Sequence, residues 1–570
     1  MNASAHDSSP TSDRVASWAD GGRGVVAVVG LGLVWAVVAW VGSRGNASTF
    51  DEPVHVAAAV AAVQAGELGV NPEHPPVWKY VAGLGQVGRE TGVDVSFIGR
   101  SAVRGDVVGQ WAWAVDGLYG GKVDGEAVVA RSRAAMLVFG VLLVVLAGLM
   151  GRRMGGGLAG VVVAALVAAD PLVLAHGAIV SNDVALSVFV LGVVWVAWEI
   201  RRGGHWSLGL LLGVLVGLAA ATKFTGVVVA PALAAGLLLI SRKPKVLPLA
   251  LAVLAAYATV WAAYGFRYAP SPEGRLIDTT AIATRIGELR RIASGAKTVP
   301  QPDGPTRALL AIEKTRIVPQ AMTAGLLTSY GVTRSNPAYA LGQTSMTGWW
   351  WYFPFAMLVK TPLGLLGVWA WGVRRGGWLV GCAGFVLLAS MASPLNIGVR
   401  HVLPVAVMLT VAGGVALARN PRWAWVAVVA VALEVATVFP HTLAFFNLPA
   451  RAVGETKLLG DSNLDWGQDL ERLAEWRKNN PGGTMYLAYW GTAAPGAYGL
   501  DSGTGVVHLP GTYPYAEQAI PGPPTGEGYL AVSVSYLQGV QSGEVAPFFA
   551  RLGKREPVAK VGKSVWVYRW

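Results

Sequence analysis

Long apolar stretches alternate with short polar links along most of this chain. They fall at roughly 24–41, 134–150, 157–175, 184–199, 207–222, 225–240, 246–264, 349–372, 376–393, 402–418 and 423–440. A helix of about 20 apolar residues crosses a hydrocarbon core of roughly 30 Å, so the pattern predicts about eleven transmembrane helices. Several runs are slightly short or broken by glycine, which membrane helices tolerate when neighbours cover the backbone. The links alternate in charge. Arg152-Arg153, Arg201-Arg202, Arg242-Lys243 with Lys245, Arg374-Arg375, and Arg419 with Arg422 fall on one side. The opposite links, near 179–183, 222–225 and 395–400, carry only isolated basic residues. The excess of Lys and Arg on cytoplasmic loops then predicts a cytoplasmic N-terminus.

Three longer segments are expected outside. The first spans 45–133. The second, 265–348, holds two amphipathic stretches, 275–292 and 308–327, that predict helices on the membrane surface. The third is the tail, 445–570, which reads as an exocytoplasmic α/β domain: 469–478 is helix-like, and 484–489, 529–536 and 564–568 are strand-like. The chain thus divides into a polar, disordered cytoplasmic segment 1–22, a membrane domain 23–444 and the tail. No repeat of solenoid length or inverted repeat of the transporter kind is evident.

Composition sharpens this picture. Of 570 residues 53% are hydrophobic and 14% charged, with mean hydropathy +0.48; a soluble protein carries about 25% charged residues. Without a clear cleavage site after the first apolar run, that run reads as a signal anchor. Cys382 is the single cysteine, so no internal disulfide forms. The net charge of +12 lies largely in short links, where membrane orientation explains it, and nucleic-acid binding is not expected.

Isolated polar residues gather at the outer ends of the apolar runs. Asp51 and Glu52 follow the first, and Glu73-His74-Pro75-Pro76 comes shortly after. Asp170 and Asp183 bracket one outer link, Lys223 sits between two runs too close for a real loop, and Arg400-His401 opens the tenth run. Ionisable groups at bilayer depth are costly and usually functional. Carboxylates and cations at one outer face suit a phosphate-bearing headgroup and an attacking nucleophile. Each also has a plainer role. Asp51 and Glu52 read as caps of a helix over 54–65, and Asp183 as a cap of the fourth span. Asp170-Pro171 reads as a helix stop and His74 as a turn residue before proline. Lys223 reads as a side chain reaching for the interface, and Arg400 as a topological anchor, although a guanidinium matches phosphate geometry. The Trp349-Trp350-Trp351-Tyr352-Phe353 cluster reads as an interfacial aromatic belt. Asp461-Ser462-Asn463-Leu464-Asp465-Trp466-Gly467-Gln468-Asp469 reads either as a capped turn or as an anion-binding helix start outside the membrane. No P-loop, CxxC, HExxH or GxSxG in the required context occurs.

Taken in order, these motifs resemble the polyprenyl-phosphate-dependent glycosyltransferases of the protein O-mannosyltransferase and aminoarabinose-transferase superfamily, GT39-like enzymes with a GT-C fold. The resemblance rests on Asp51-Glu52-Pro53, Glu73-His74-Pro75-Pro76, Asn182-Asp183, Thr222-Lys223, Gly348-Trp349-Trp350-Trp351-Tyr352-Phe353-Pro354 with Lys360-Thr361-Pro362, and Asn396-Ile397-Gly398-Val399-Arg400-His401. The 461–469 block is similar to bacterial members with an extra C-terminal domain, which implies a bacterial plasma-membrane protein. The resemblance implies that Asp51 is the catalytic acid of the first outer loop, Asp183 a second site acid and Lys223 a binder of the lipid phosphate. Glu73 matches the site carboxylate before proline. It names no definite cofactor and leaves a divalent metal open. Two positions depart from the pattern: His74 stands where aminoarabinose transferases have lysine, and Gln343 or Thr347 where they have a histidine.

The expected activity is an inverting sugar transfer on the outer face. Asp51, with Glu52 beside it and Asp183 as partner acid, takes the proton of an acceptor hydroxyl. Lys223 and Arg400 stabilise the departing polyprenyl phosphate. Glu73, His74, His401, Asp461, Asn463 and Asp465 complete the expected substrate-binding set. The partners are a polyprenyl-phosphate-linked sugar, a protein or glycan acceptor, and membrane lipid. Two rivals stay open at this point: a transporter or flippase of a lipid-linked or anionic substrate, and a non-catalytic assembly protein that uses its tail to bind a partner.

Overall fold

A computed structural model describes residues 21–96, 107–240, 245–294, 297–333, 336–509, 526–540 and 546–570. The N-terminal segment read as disordered falls almost wholly outside these residues, as do Arg242 and Lys243.

Every apolar run named above lies on helix, but not every run is one straight helix. Five helices are long and apolar enough to cross a membrane: Gly22–Ser43, Gly125–Gly155, Asp183–Arg201, Val246–Ala263 and Val399–Leu417. A sixth candidate is a pair, Gly157–Ala169 and Pro171–Gly177, bent by 63°. The break follows from chemistry: Asp170 has extended backbone before Pro171, and its carboxylate accepts the Leu172 N–H to start the second piece. Asp170 is therefore a helix stop and cap. The run at 349–372 is likewise split, into Tyr352–Lys360 and Leu363–Arg375, where Pro362 holds Thr361 extended. Shorter apolar helices complete the bundle at Leu208–Ala220, Phe224–Leu239 and Trp378–Met391, with Pro421–Ala436 beside them. The chain is an integral membrane protein.

Lipid offers helices little hydrophobic reason to associate, so close packing of small residues holds them together. Gly209, Gly213 and Gly217 stand four apart on one helix, and a Cβ on each would strike the backbone at Pro248, Ala252 and Ala256 of Val246–Ala263. Trp35 makes the opposite fit. Its indole fills a notch against Gly140 and Gly177, where a Cβ would come within 1.8 and 2.5 Å of the ring. The outer side of the same helix, with Val26, Leu33, Val34 and Val37, is exposed, as a lipid-facing surface requires.

The first long link folds onto the bundle end as Glu52–Gln64, Val77–Leu84 and Val107–Tyr119. Glu52–Gln64 is buried on all sides from Glu52 to Ala62, consistent with its alanine- and valine-rich sequence. The second forms Thr279–Ser294, Gly304–Thr315 and Gln320–Val332, then a hairpin of Ala338–Ala340 and Gln343–Ser345. The helix expected over 308–327 is interrupted: Arg316 turns left-handed (φ 54°), and Pro319 precedes the next start. Much of Gln320–Val332 is buried, with Ala324 and Leu327 packed on Ile282 and Ile286, so this part does not lie free on a surface.

The tail contains a mixed five-stranded sheet. Its order is Val506–His508, Thr484–Ala488, Gly528–Ser533, Val565–Arg569, Ala559–Val561. The first two pairings are parallel and the last two antiparallel, with Met485 opposite both Val506 and Tyr529. Helix Leu470–Asn479 packs on it through Leu470 and Leu473. The three strands and the helix expected from the sequence are present; the two short strands, Val506–His508 and Ala559–Val561, gave no period-two signal.

Candidate active site

Four breaks in the helical pattern meet at one end of the bundle. Asp51 sits just before Glu52–Gln64, Asp183 opens Asp183–Arg201, Lys223 lies in the tight turn between Leu208–Ala220 and Phe224–Leu239, and Arg400 is in the 3-10 turn Val399–Val402. Each is placed by a helix end, where backbone geometry is fixed and a side chain can point along the axis. Lys223 Nζ donates to Asp183 Oδ1. Arg400 Nη1 lies 3.5 Å from Asp51 Oδ2 and 3.8 Å from Asp183 Oδ2. The sequence candidates therefore converge: two carboxylates and two cations share one cluster, with the Asp51 side chain 23% exposed and Asp183 1%.

Asp51 occupies the cap position of its helix, yet its side chain makes no capping hydrogen bond. Arg400 is close to two acids, but charge-assisted contacts normally close to about 2.7–2.9 Å. Its distances are longer, and among the described residues its buried Nε has no hydrogen-bond partner. The guanidinium is held instead by stacking, 4.0 Å above the Trp466 ring. It retains donors for an oxyanion.

Glu52 is different from its neighbour. Both its oxygens are engaged: Arg133 donates from Nε and Nη2 at 2.8 and 2.6 Å, Thr49 N–H at 2.8 Å and Val180 N–H at 3.0 Å. Arg133 also donates to the Asn46 and Ala47 carbonyls. This carboxylate ties three segments together and presents no oxygen to a ligand. Direct chemistry by Glu52 is not what its contacts suit.

Glu73 and His74 form a second wall. Asn182, next to Asp183, bonds His74 Nδ1 at 3.0 Å, and the His74 ring meets His55 edge-on. His55 in turn bonds the Val180 carbonyl at 2.7 Å. Glu73 accepts from Asn71 Nδ2 at 2.8 Å, leaving Oε2 without a partner among the described residues. Burial pushes the Glu73 carboxyl above its usual range. It brings nearby Lys79 down to about 7, with Glu73 opposing. His401, next to Arg400, meets the Phe353 ring edge-on, and its buried Nε2 has no hydrogen-bond partner among the described residues.

The 461–469 block divides by role. Asp461 borders the cluster, and burial lifts its carboxyl to about 6 against the pull of Arg400. Asn463 is fully buried and its amide is engaged within the protein: it accepts from Val399 N–H at 2.9 Å and donates to the Tyr352 hydroxyl at 2.9 Å. Asp465 turns to the tail, accepting from Ser535 N–H at 3.0 Å and Gly467 N–H at 3.3 Å. Asp469 accepts from Lys563 and Ser564 N–H. These two acids fasten the 461–469 block to the sheet region of the tail, so Asp465 does not line the cluster. Arg133, His55 and Lys79 were not singled out from the sequence, and Trp466 entered only as a member of the 461–469 block. Only His55, four residues after Asp51 on one helix face, carried a spacing signal. Among the described residues no three His, Cys, Asp or Glu side chains are grouped to hold a metal ion.

Residues 121–263 match the family model described as dolichyl-phosphate-mannose-protein mannosyltransferase. That segment contains Asp183 and Lys223. No curated protein sequence matches the chain significantly. Among solved structures, the chain is similar to ArnT from Cupriavidus metallidurans in the apo state, at 14% identity and TM-score 0.34 over 95% of this chain and 97% of that one. It is also similar to the Archaeoglobus fulgidus oligosaccharyltransferase tethered with an acceptor peptide, at 12% identity and TM-score 0.36 over 91% and 72%. Likenesses this remote do not bear on the chemistry of the site.

Proposed function

We propose that this protein is a membrane glycosyltransferase that moves a sugar from a polyprenyl-phosphate donor to an acceptor hydroxyl, with inversion, at the outer membrane face. The N-terminus is then cytoplasmic and the tail outside. The observation that carries the reading is the cluster itself: Asp51 faces an under-bonded Arg400, beside the Asp183–Lys223 pair. The two acids and two cations balance in charge, so an arriving phosphate must draw a cation away from a carboxylate. Arg400 is the looser of the two. Turning it and Lys223 onto the donor phosphate frees Asp51 to accept a proton.

In the reaction the acceptor oxygen bonds the anomeric carbon as its proton passes to Asp51. The bond from that carbon to the phosphate oxygen breaks, and the electron pair leaves with the polyprenyl phosphate. Negative charge on that phosphate grows towards the transition state, where Arg400 and Lys223 stabilise it. Asp183 keeps Lys223 charged and aimed. Glu73 and His74 are placed to contact sugar or acceptor hydroxyls. Supporting this reading are the rim position of the ionisable groups, the family match over 121–263 and the motif resemblance.

Asp51→Asn tests it directly. Purified protein is given polyprenyl-phosphate mannose with a Ser/Thr peptide or a glycan acceptor. Loss of a general base costs about 10²–10⁴ in rate; transfer by the variant at near wild-type rate would remove Asp51 from this role.

A further inference from the structure

The two groups that face each other across the cluster are both held from the tail. Asp51 follows a short segment, 46–50, whose hydrogen bonds run to the tail: Ala47 N–H donates to the Gln468 carbonyl at 3.0 Å and Phe50 N–H to the Trp466 carbonyl at 2.8 Å. The Phe50 carbonyl accepts the Thr492 hydroxyl at 2.5 Å. Its ring stacks on Trp490 with centroids 4.7 Å apart. Arg400, on the other side, lies over the Trp466 ring. One residue therefore gives its carbonyl to the Asp51 arm and its indole to the opposing cation. Trp466 and Thr492 are both buried. The turn after Trp466 is rigid, since Gly467 (φ +86°) accepts the Tyr489 hydroxyl on its carbonyl at 2.8 Å and leaves no room for a Cβ against Tyr489 and Gly491.

We propose that Trp466 and Thr492 are positioning residues that fix the spacing between Asp51 and Arg400, which makes the tail part of the reaction's frame. The inference rests on the function proposed above. Placement on this scale matters because a shift of about 1 Å at a reacting group can cost 10²-fold.

The test uses the full-length protein and three variants. Thr492→Val removes the hydroxyl at nearly constant volume, Thr492→Ser restores it, and Trp466→Leu removes the aromatic face under Arg400. Transfer from polyprenyl-phosphate mannose is measured with thermal midpoint and with hydrogen exchange of the 46–52 backbone. Thr492→Val should lower kcat at least about tenfold with little change in donor KM, and Trp466→Leu should do the same. Exchange over 46–52 should quicken at least about tenfold in Thr492→Val, and Thr492→Ser should recover both values. Wild-type kcat or wild-type exchange in Thr492→Val overturns the proposal. So does a Thr492→Ser protein as impaired as Thr492→Val with an equal fall in midpoint. If the wild-type protein transfers no sugar, the function proposed above fails, and the exchange comparison alone decides the clamp.

Discussion

Arg133 grips Glu52 in a fork, Nη2 to Oε2 at 2.6 Å and Nε to Oε1 at 2.8 Å, with both side chains enclosed. Removing one partner of such a pair strands the other charge and costs about 3–5 kcal/mol. Glu52→Gln and Arg133→Met should each lower the thermal midpoint of the detergent-solubilised protein, with any loss of transfer following the loss of folded molecules. Glu52→Gln with an intact midpoint and no transfer would return this residue to the chemistry. Burial raises the Glu52 carboxyl, but Arg133 with the Thr49 and Val180 amides holds it below its usual value of 4.5. A depressed carboxyl stabilises the fold above that value and ceases to do so as pH falls through its folded value. Acid unfolding should therefore begin below about pH 4.5 in the wild type and be blunted in Glu52→Gln.

Lys223 should matter to the donor before chemistry begins. A charge-assisted hydrogen bond contributes about 1.5–3 kcal/mol, or roughly 10- to 150-fold in affinity. Lys223→Met is expected to raise the Kd for polyprenyl phosphate alone by that factor. An unchanged Kd in a direct binding measurement would place the phosphate elsewhere.

Arg400 should show its effect in turnover. Arg400→Lys keeps the cation but loses the planar fork and the stacking on Trp466. If the guanidinium stabilises charge that grows on the leaving phosphate, kcat should drop at least about tenfold while donor KM moves less. A change confined to KM would make it a ground-state binder.

Asp461 carries a pH-dependent cost. Its carboxyl is raised from 3.8 to about 6, so the folded state binds that proton more tightly than the unfolded state. The resulting stabilisation is present in acid and is lost as pH rises to 6. Asp461→Asn keeps an acceptor for the Ser462 N–H and suits the left-handed backbone there (φ 53°). It should raise stability at pH 8 by about 1–2 kcal/mol, partial exposure discounting the full shift, and change little at pH 4. A loss of donor affinity in the same variant would give Asp461 a binding role as well.

Much of the membrane part was legible because lipid imposes a simple rule: apolar runs become helices, and each named run did. The cluster was legible for the same reason, since charges such as Lys223 and Arg400 stand out where apolar residues are the norm. Glu52 was not separable from Asp51 by sequence, because its partner Arg133 lies 81 positions away at the mouth of another span. Asp465 looked equivalent to Asp461, yet four residues of turn rotate it towards Ser535 on the sheet. The break at Arg316 and Pro319 was hidden by an amphipathic pattern that continued across it.

The bend at Asp170-Pro171 changes what a hydropathy count measures. Gly157–Ala169 is buried along most of its length, whereas Pro171–Gly177 turns away by 63° and delivers the chain to Val180, whose amide and carbonyl serve Glu52 and His55. A single apolar run, broken once at Asp170-Pro171, thus supplies both a buried member of the bundle and a strut beneath polar machinery. Such a run is long enough to count as a span only when its two bent halves are taken together.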